Sequence, residues 1–123
     1  MDAAAAHRFA EAWIAAWNRR DLEAILAHFA DDAEFVSPRA AKVTGNAFVR
    51  GQAALRDYWS RRSAEVKSLH FELERTLWDA RETTLTVVYV STVDGNRVRA
   101  CEFMRFDAAG RVRRGEAMYG AVL

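Results

Sequence analysis

Hydrophobic periodicity changes once along this chain. Up to about residue 66 the apolar residues recur at helical spacing, and from about residue 69 onward they alternate. Helices gathered in one half and strands in the other predict an α+β fold, with three N-terminal helices packed on a strongly curved, mostly antiparallel sheet. No repeat, low-complexity linker or composition break interrupts the pattern, so residues 1–123 read as a single domain. Apolar residues make up 51% of the chain, enough for one continuous core without metal or disulfides. Cys101 is the lone cysteine and has no partner within the chain.

The first helix is predicted over residues 3–19. Phe9, Trp13 and Trp17 recur every four residues, with Ala10 and Ile14 beside them, which makes one apolar stripe. Asp21 caps a second helix whose inward face is Leu22, Ile25, Leu26 and Phe29, and Asp31-Asp32 ends it. A short strand follows at Ala33–Ser37 with Phe35 pointing inward, and Pro38 closes it. Residues Arg39 to Gly51 read as a loop in which Phe48 and Val49 tuck back toward the body. A third helix covers about Gln52–Val66, with Leu55, Trp59 and Val66 on one face.

Three longer strands complete the reading. In Leu69–Trp78, Leu69, Phe71, Leu73 and Leu77 share one face. Thr83–Val93 is apolar on both faces at Val87-Val88-Tyr89-Val90, which asks for a second covering layer such as a partner subunit. Asp94-Gly95 makes a tight hairpin into Arg97–Phe106, and a turn at 107–110 leads to a last strand from Arg111 to about Gly120.

The charge balance excludes some functions. Eighteen basic residues face seventeen acidic ones, and Arg19-Arg20, Arg61-Arg62 and Arg113-Arg114 are interspersed with acids. No clustered basic face for nucleic acid is evident. The N-terminal segment lacks the features of a signal peptide, and no apolar run approaches a membrane span. The expectation is a cytoplasmic protein with neither nucleic acid nor membrane as a partner. His7, His28 and His70 have no ligand-type spacing, so no metal and no cofactor are expected.

One residue breaks the pattern. By strand parity Glu102 shares a face with Val98, Ala100, Met104 and Phe106. A carboxylate in an apolar layer must find a partner, line a hydrated hollow, or take up a proton. Glu102 is therefore either a pocket acid or half of a structural ion pair, for instance with Arg114. Glu116 on the last strand is a second acid. In one of two registers it lies beside Glu102 as a proton-sharing dyad.

Three segments carry a family resemblance: Phe9 through Phe35, Val49 through Trp59, and Glu102 through Val112. They resemble NTF2-like proteins, a group that includes ketosteroid isomerases and SnoaL-type polyketide cyclases. The resemblance implies a cone of helices over a bent sheet with a pocket between them, and a homodimer packed through the outer sheet face. Set against ketosteroid isomerases, it puts Trp13 where those enzymes carry a tyrosine and Ser37 where they carry the general-base aspartate. Their protonated aspartate falls at Glu102. A serine cannot abstract a proton from carbon unaided, so that isomerase mechanism is not expected here.

The candidate site combines these readings. Glu102 is the candidate catalytic group, with Ser37 and His28 as assistants; His28 also fits a structural place at the C-terminus of the second helix. Trp13, Trp17, Phe35, Tyr58, Trp59 and Tyr89 are expected to line the pocket, and the resemblance adds Met104 and Tyr119. The expected ligand is a small hydrophobic molecule, bound by an aromatic-lined pocket anchored on a buried glutamate. The alternative is an acid–base enzyme of the isomerase, cyclase or hydrolase kind.

Overall fold

A computed structural model describes all 123 residues. The elements run α1 (Ala3–Asn18), α2 (Leu22–Ala27), β1 (Phe29–Val36), α3 (Pro38–Thr44), β2 (Phe48–Arg50), α4 (Gln52–Glu65), β3 (Leu69–Asp79), β4 (Thr84–Val93), β5 (Asn96–Phe106) and β6 (Val112–Val122). The strands form one curved, unclosed sheet in the order β2-β1-β6-β5-β4-β3. Only β1 and β6 pair in parallel. The helices cover the concave face, and the core lies between the two layers.

The helix starts follow side-chain caps. Asp2 Oδ1 accepts from the Ala5 N–H at 2.8 Å and opens α1, and Asp21 Oδ1 does the same for α2 through Ala24 at 3.1 Å. The α1 stripe is buried at Ala6, Ala10, Trp13 and Ile14. At the end of α1, the Asn18 side-chain amide closes two hydrogen bonds on the Phe71 backbone, at 2.9 and 2.7 Å. That pairing satisfies part of the open edge of β3 and holds the helix against it.

Four expectations change. α2 stops at Ala27, and Phe29 opens β1 instead of finishing the helix, because the Val112 N–H donates to the His28 carbonyl at 2.8 Å and draws the chain into the sheet. Residues 38–44 form a helix where a loop was expected. Ser37 caps it through the Arg39 N–H at 3.2 Å, Pro38 sits at its first position, and Gly45 ends it at φ 82°. Val49 is buried as expected, but Phe48 is 47% exposed. On β3 the register shifts between Leu73 and Arg75, leaving Glu74 as a bulge. Beyond it the parity reverses: Leu77 pairs with Thr86 on the outer face, and Trp78 pairs with Leu85 on the inner one.

The central strands place the site. The inward residues of β4 are Leu85, Val87, Tyr89 and Ser91, all buried. They pair with the inward residues of β5: Leu85 with Met104, Val87 with Glu102, Tyr89 with Ala100 and Ser91 with Val98. On the other side of β5, Glu102 pairs with Ala117 and Ala100 with Tyr119. No helix is long and apolar enough to cross a membrane.

Candidate functional site

Glu102 stands in the middle of the concave face. Its register neighbours, Val87 and Ala117, have short side chains without polar groups. One row further along, the small residue Ala100 separates Tyr89 from Tyr119. Both phenols are thus diagonal neighbours of the acid, within reach for long aromatic side chains. Glu102 is 5% exposed and no protein donor or cation pairs with it. Burial alone pushes its carboxyl pKa up to about 8. At neutral pH it is mostly an uncharged acid, able to donate one hydrogen bond.

The space above Glu102 is a hollow of about 70 Å³. Nine sequence-predicted site residues converge on it: Glu102, Ser37, Trp13, Trp17, Phe35, Tyr58, Trp59, Tyr89 and Tyr119. The aromatic rings fix one another. Trp13 meets Tyr89 edge-on at 5.5 Å, Trp17 meets Trp59 at 5.7 Å, and Phe35 meets Trp59 at 5.5 Å.

Ser37 reaches the hollow from the end of β1 and is 1% exposed. Its hydroxyl already accepts the Arg39 N–H and stands beside the phenols of Tyr58 and Tyr119, whose pKa values it draws down. Burial outweighs this pull: Tyr58 is raised, Tyr119 is pushed up to about 12, and Tyr89 lies well above the ordinary phenol value. All three phenols are therefore neutral donors at physiological pH. Ser37 has no base beside it and acts as a helix cap and a polar wall.

Two expected site residues lie elsewhere. His28 is the C-terminal cap of α2, half-buried, with its ring edge-on to Phe9 at 4.6 Å; burial lowers its pKa. It does not line the hollow. Met104 is fully buried one inward step along β5 from Glu102, paired with Leu85 and Gly115, and does not line the hollow. Gly115 has no side chain, and the rings of Phe29 and Phe35 fill that end: a Cβ there would stand 3.2 Å from Phe35 Cδ1. The dyad with Glu116 is also absent, because Glu116 pairs with Phe103 and faces outward.

Three arginines that the sequence reading passed over line the hollow: Arg20, Arg39 and Arg62. Arg39 lies 3.9 Å over the Tyr119 ring. The Ser37–Pro38 start and Gly45 stop of α3 are the signal that places it there. Leu22, Ile25, Phe71 and Leu69 also contribute wall, and each was already on an inward face by periodicity.

Helices over a bent sheet, with the hollow between them, match a known family along most of the chain. The SnoaL-like domain pattern spans residues 10–115. The chain belongs to the SnoaL-like domain family. Among solved structures, this SnoaL-like chain is similar to a SnoaL-like protein of unknown function from Burkholderia thailandensis. The two share 32% identity over 98% of each chain, with a TM-score of 0.88. Two others share the fold at lower identity. A putative ketosteroid isomerase from Kribbella flavida has 19% identity over 96% of this chain and 79% of its own, with a TM-score of 0.74. A putative polyketide cyclase from Sinorhizobium meliloti has 18% identity over 86% and 89%, with a TM-score of 0.71. No curated protein matches this SnoaL-like chain by sequence. The NTF2-like, or cystatin-like, architecture expected from the sequence is the one observed.

Proposed function

We propose that this SnoaL-like protein binds a small molecule with an apolar body, and that Glu102 in its acid form anchors it by donating a hydrogen bond. The observation that carries this reading is a buried glutamate, 5% exposed, whose carboxyl has no protein partner and lines a hollow walled by aromatic rings. A buried polar group without a partner costs roughly 1–3 kcal/mol, so retaining one at a cavity wall is explained by a partner that comes from outside. Titration with benzyl alcohol tests it through the tryptophan indole N–H signals in NMR. Trp13, Trp17 and Trp59 line the hollow and should shift, whereas Trp78 lies outside it and serves as the internal reference. Four unmoved indole signals at millimolar benzyl alcohol would reject the reading.

A second reading rests on the Glu102 carboxyl value of about 8. An acid that titrates near neutral pH suits proton transfer to or from a bound substrate. Fold relatives named as putative polyketide cyclase and putative ketosteroid isomerase are consistent with such chemistry. Ser37 supplies no base and His28 lies outside, so one group would both take and return the proton. Exchange of the α-hydrogens of a small ketone in D2O, accelerated by the protein and lost in Glu102→Gln, is the expected sign. Equal exchange with and without protein retires the enzymatic reading.

A further inference from the structure

The hollow carries its charges unevenly. Glu102 is its only acidic lining residue, whereas Arg20, Arg39 and Arg62 also line it. Arg20 is committed elsewhere: its guanidinium donates to the carbonyls of Ser63 at 3.2 Å and Val66 at 2.8 Å. Arg39 and Arg62 are not. Arg39 is half-buried and stacks on Tyr119, with no carboxylate beside it. Arg62 has only Glu65, at a loose 3.8 Å one turn along its own helix. Both guanidinium groups act on the same phenol, that of Tyr58, and each draws its pKa down against the effect of burial. Arg39, Arg62 and Tyr58 line the same hollow, and both cations lie within electrostatic reach of that one hydroxyl.

A guanidinium partly removed from water with no acid partner, as in Arg39, or only a loose one, as in Arg62, has donors to spare, and its planar fork fits a carboxylate by two parallel hydrogen bonds. We propose that the hollow takes a small monocarboxylate, its carboxylate held between Arg39 and Arg62 beside the Tyr58 hydroxyl and its largely apolar body reaching inward, where an oxygen on it accepts from Glu102. This rests on the small-molecule reading above and adds the charge and orientation of the ligand. An ionised Glu102 at the floor would repel such an anion; the acid form does not, and the three phenols around it stay neutral. The aromatic walls of the hollow suit one ring or a short branched chain.

Two probes with the same ring separate the two claims: benzoate and the uncharged benzyl alcohol, each titrated at pH 7 by the indole signals of Trp13, Trp17 and Trp59. The protein should prefer benzoate by about tenfold or more, and Arg39→Gln and Arg62→Gln should each weaken benzoate by about tenfold and benzyl alcohol by much less, so that the preference for benzoate is lost. Thermal melting of the variants shows that they fold. Equal affinity for both probes, or a benzoate affinity indifferent to both substitutions, overturns the carboxylate assignment and leaves the small-molecule reading standing. A parallel loss of both probes in the variants overturns it too, as general damage to the hollow. If neither probe moves the three signals in the unmodified protein, both readings fall together.

Discussion

Glu102 pairs across the sheet with Ala117, and its near neighbour in sequence terms, Glu116, pairs with Phe103 on the other face. One residue of register separates a proton-sharing pair of acids from a single isolated one. The isolated arrangement holds, so the Glu102 shift has burial as its cause, not repulsion from a second carboxylate. Its surroundings are the phenols of Tyr58, Tyr89 and Tyr119, the Cys101 thiol on its own strand, and the guanidinium groups of Arg39 and Arg62 at the rim.

This isolation makes stability depend on pH with a definite sign. The folded-state value of about 8 lies above the ordinary value of 4.5, so the folded chain binds the Glu102 proton more tightly. The contribution is complete below the ordinary value and is lost as pH rises through the interval up to about 8. The total is of the order of a few kcal/mol. His28, lowered by burial, acts in the opposite sense and only at or below its ordinary value of 6.5. The thiol and phenols are raised from 9 and 10, above the window. Thermal melting between pH 6.5 and 8.5 should therefore show the unmodified protein losing stability while Glu102→Gln stays nearly flat. Parallel curves for the two proteins would contradict the assignment.

Much of this architecture is legible in the residues. The helical stripe of α1 with Trp13 and Trp17, and the inward placement of Glu102, follow from spacing alone, because each depends on local parity within one element, whereas Tyr119 comes to the wall only through the family resemblance. What parity misses is where an element changes step. Nothing in Leu73-Glu74-Arg75 announces the bulge, which arises from how β3 meets β4, and every residue after it is read on the wrong face. The Ser37-Pro38 and Gly45 signals for α3 were present, but the short segment between them has too few apolar residues to show a stripe, and so Arg39 was lost from the site.

The bulge gives a direct contrast between two neighbours. Alternation counted from Leu69 makes Leu77 a core residue and Trp78 a surface one. The observed register reverses this: Leu77 is 52% exposed, and Trp78 packs edge-on to Phe106 at 6.1 Å. Leu77→Ala should cost less than about 0.5 kcal/mol, as surface substitutions do. Trp78→Ala should cost about 2 kcal/mol, less than a fully buried tryptophan because Trp78 is half-buried. Urea denaturation of the two variants measures both, and a larger loss in Leu77→Ala would show that the bulge is misplaced.

Ser37 can be separated from the chemistry of the hollow by its role as a cap. Ser37→Ala removes the side-chain acceptor for the Arg39 N–H and should destabilise the protein by about 1 kcal/mol, whereas Ser37→Gly should cost only a few tenths through the cap. Binding of benzyl alcohol should be little changed in either. If Ser37→Ala were fully stable but unable to bind the probe, the hydroxyl would belong to the ligand contact and not to the helix.

The outer face of the sheet is built like an interface. Val36, Phe48 and Phe103 flank Glu116 in one cross-strand row, and Met118, Cys101 and Val88 form the next. Phe48 and Met118 are 47% and 46% exposed. Ion pairs stand on both sides of this band: Arg50–Glu34–Arg114 on one flank and Arg99–Glu74 on the other. A band that is apolar apart from Glu116, with a charged rim, has the anatomy of a protein–protein contact. We propose that a second copy of this chain covers it, a two-fold arrangement that sets each apolar band against the other. Light scattering over a range of concentrations should then show a dimer, and Phe103→Lys, which puts a charge at the centre of the band, should weaken it by about 100-fold or more. A maleimide reagent should label Cys101 faster in that variant than in the unmodified protein, as the thiol leaves the interface. A strict monomer at every concentration, with Cys101 labelled equally fast in both, would mean that the band meets water or a different partner.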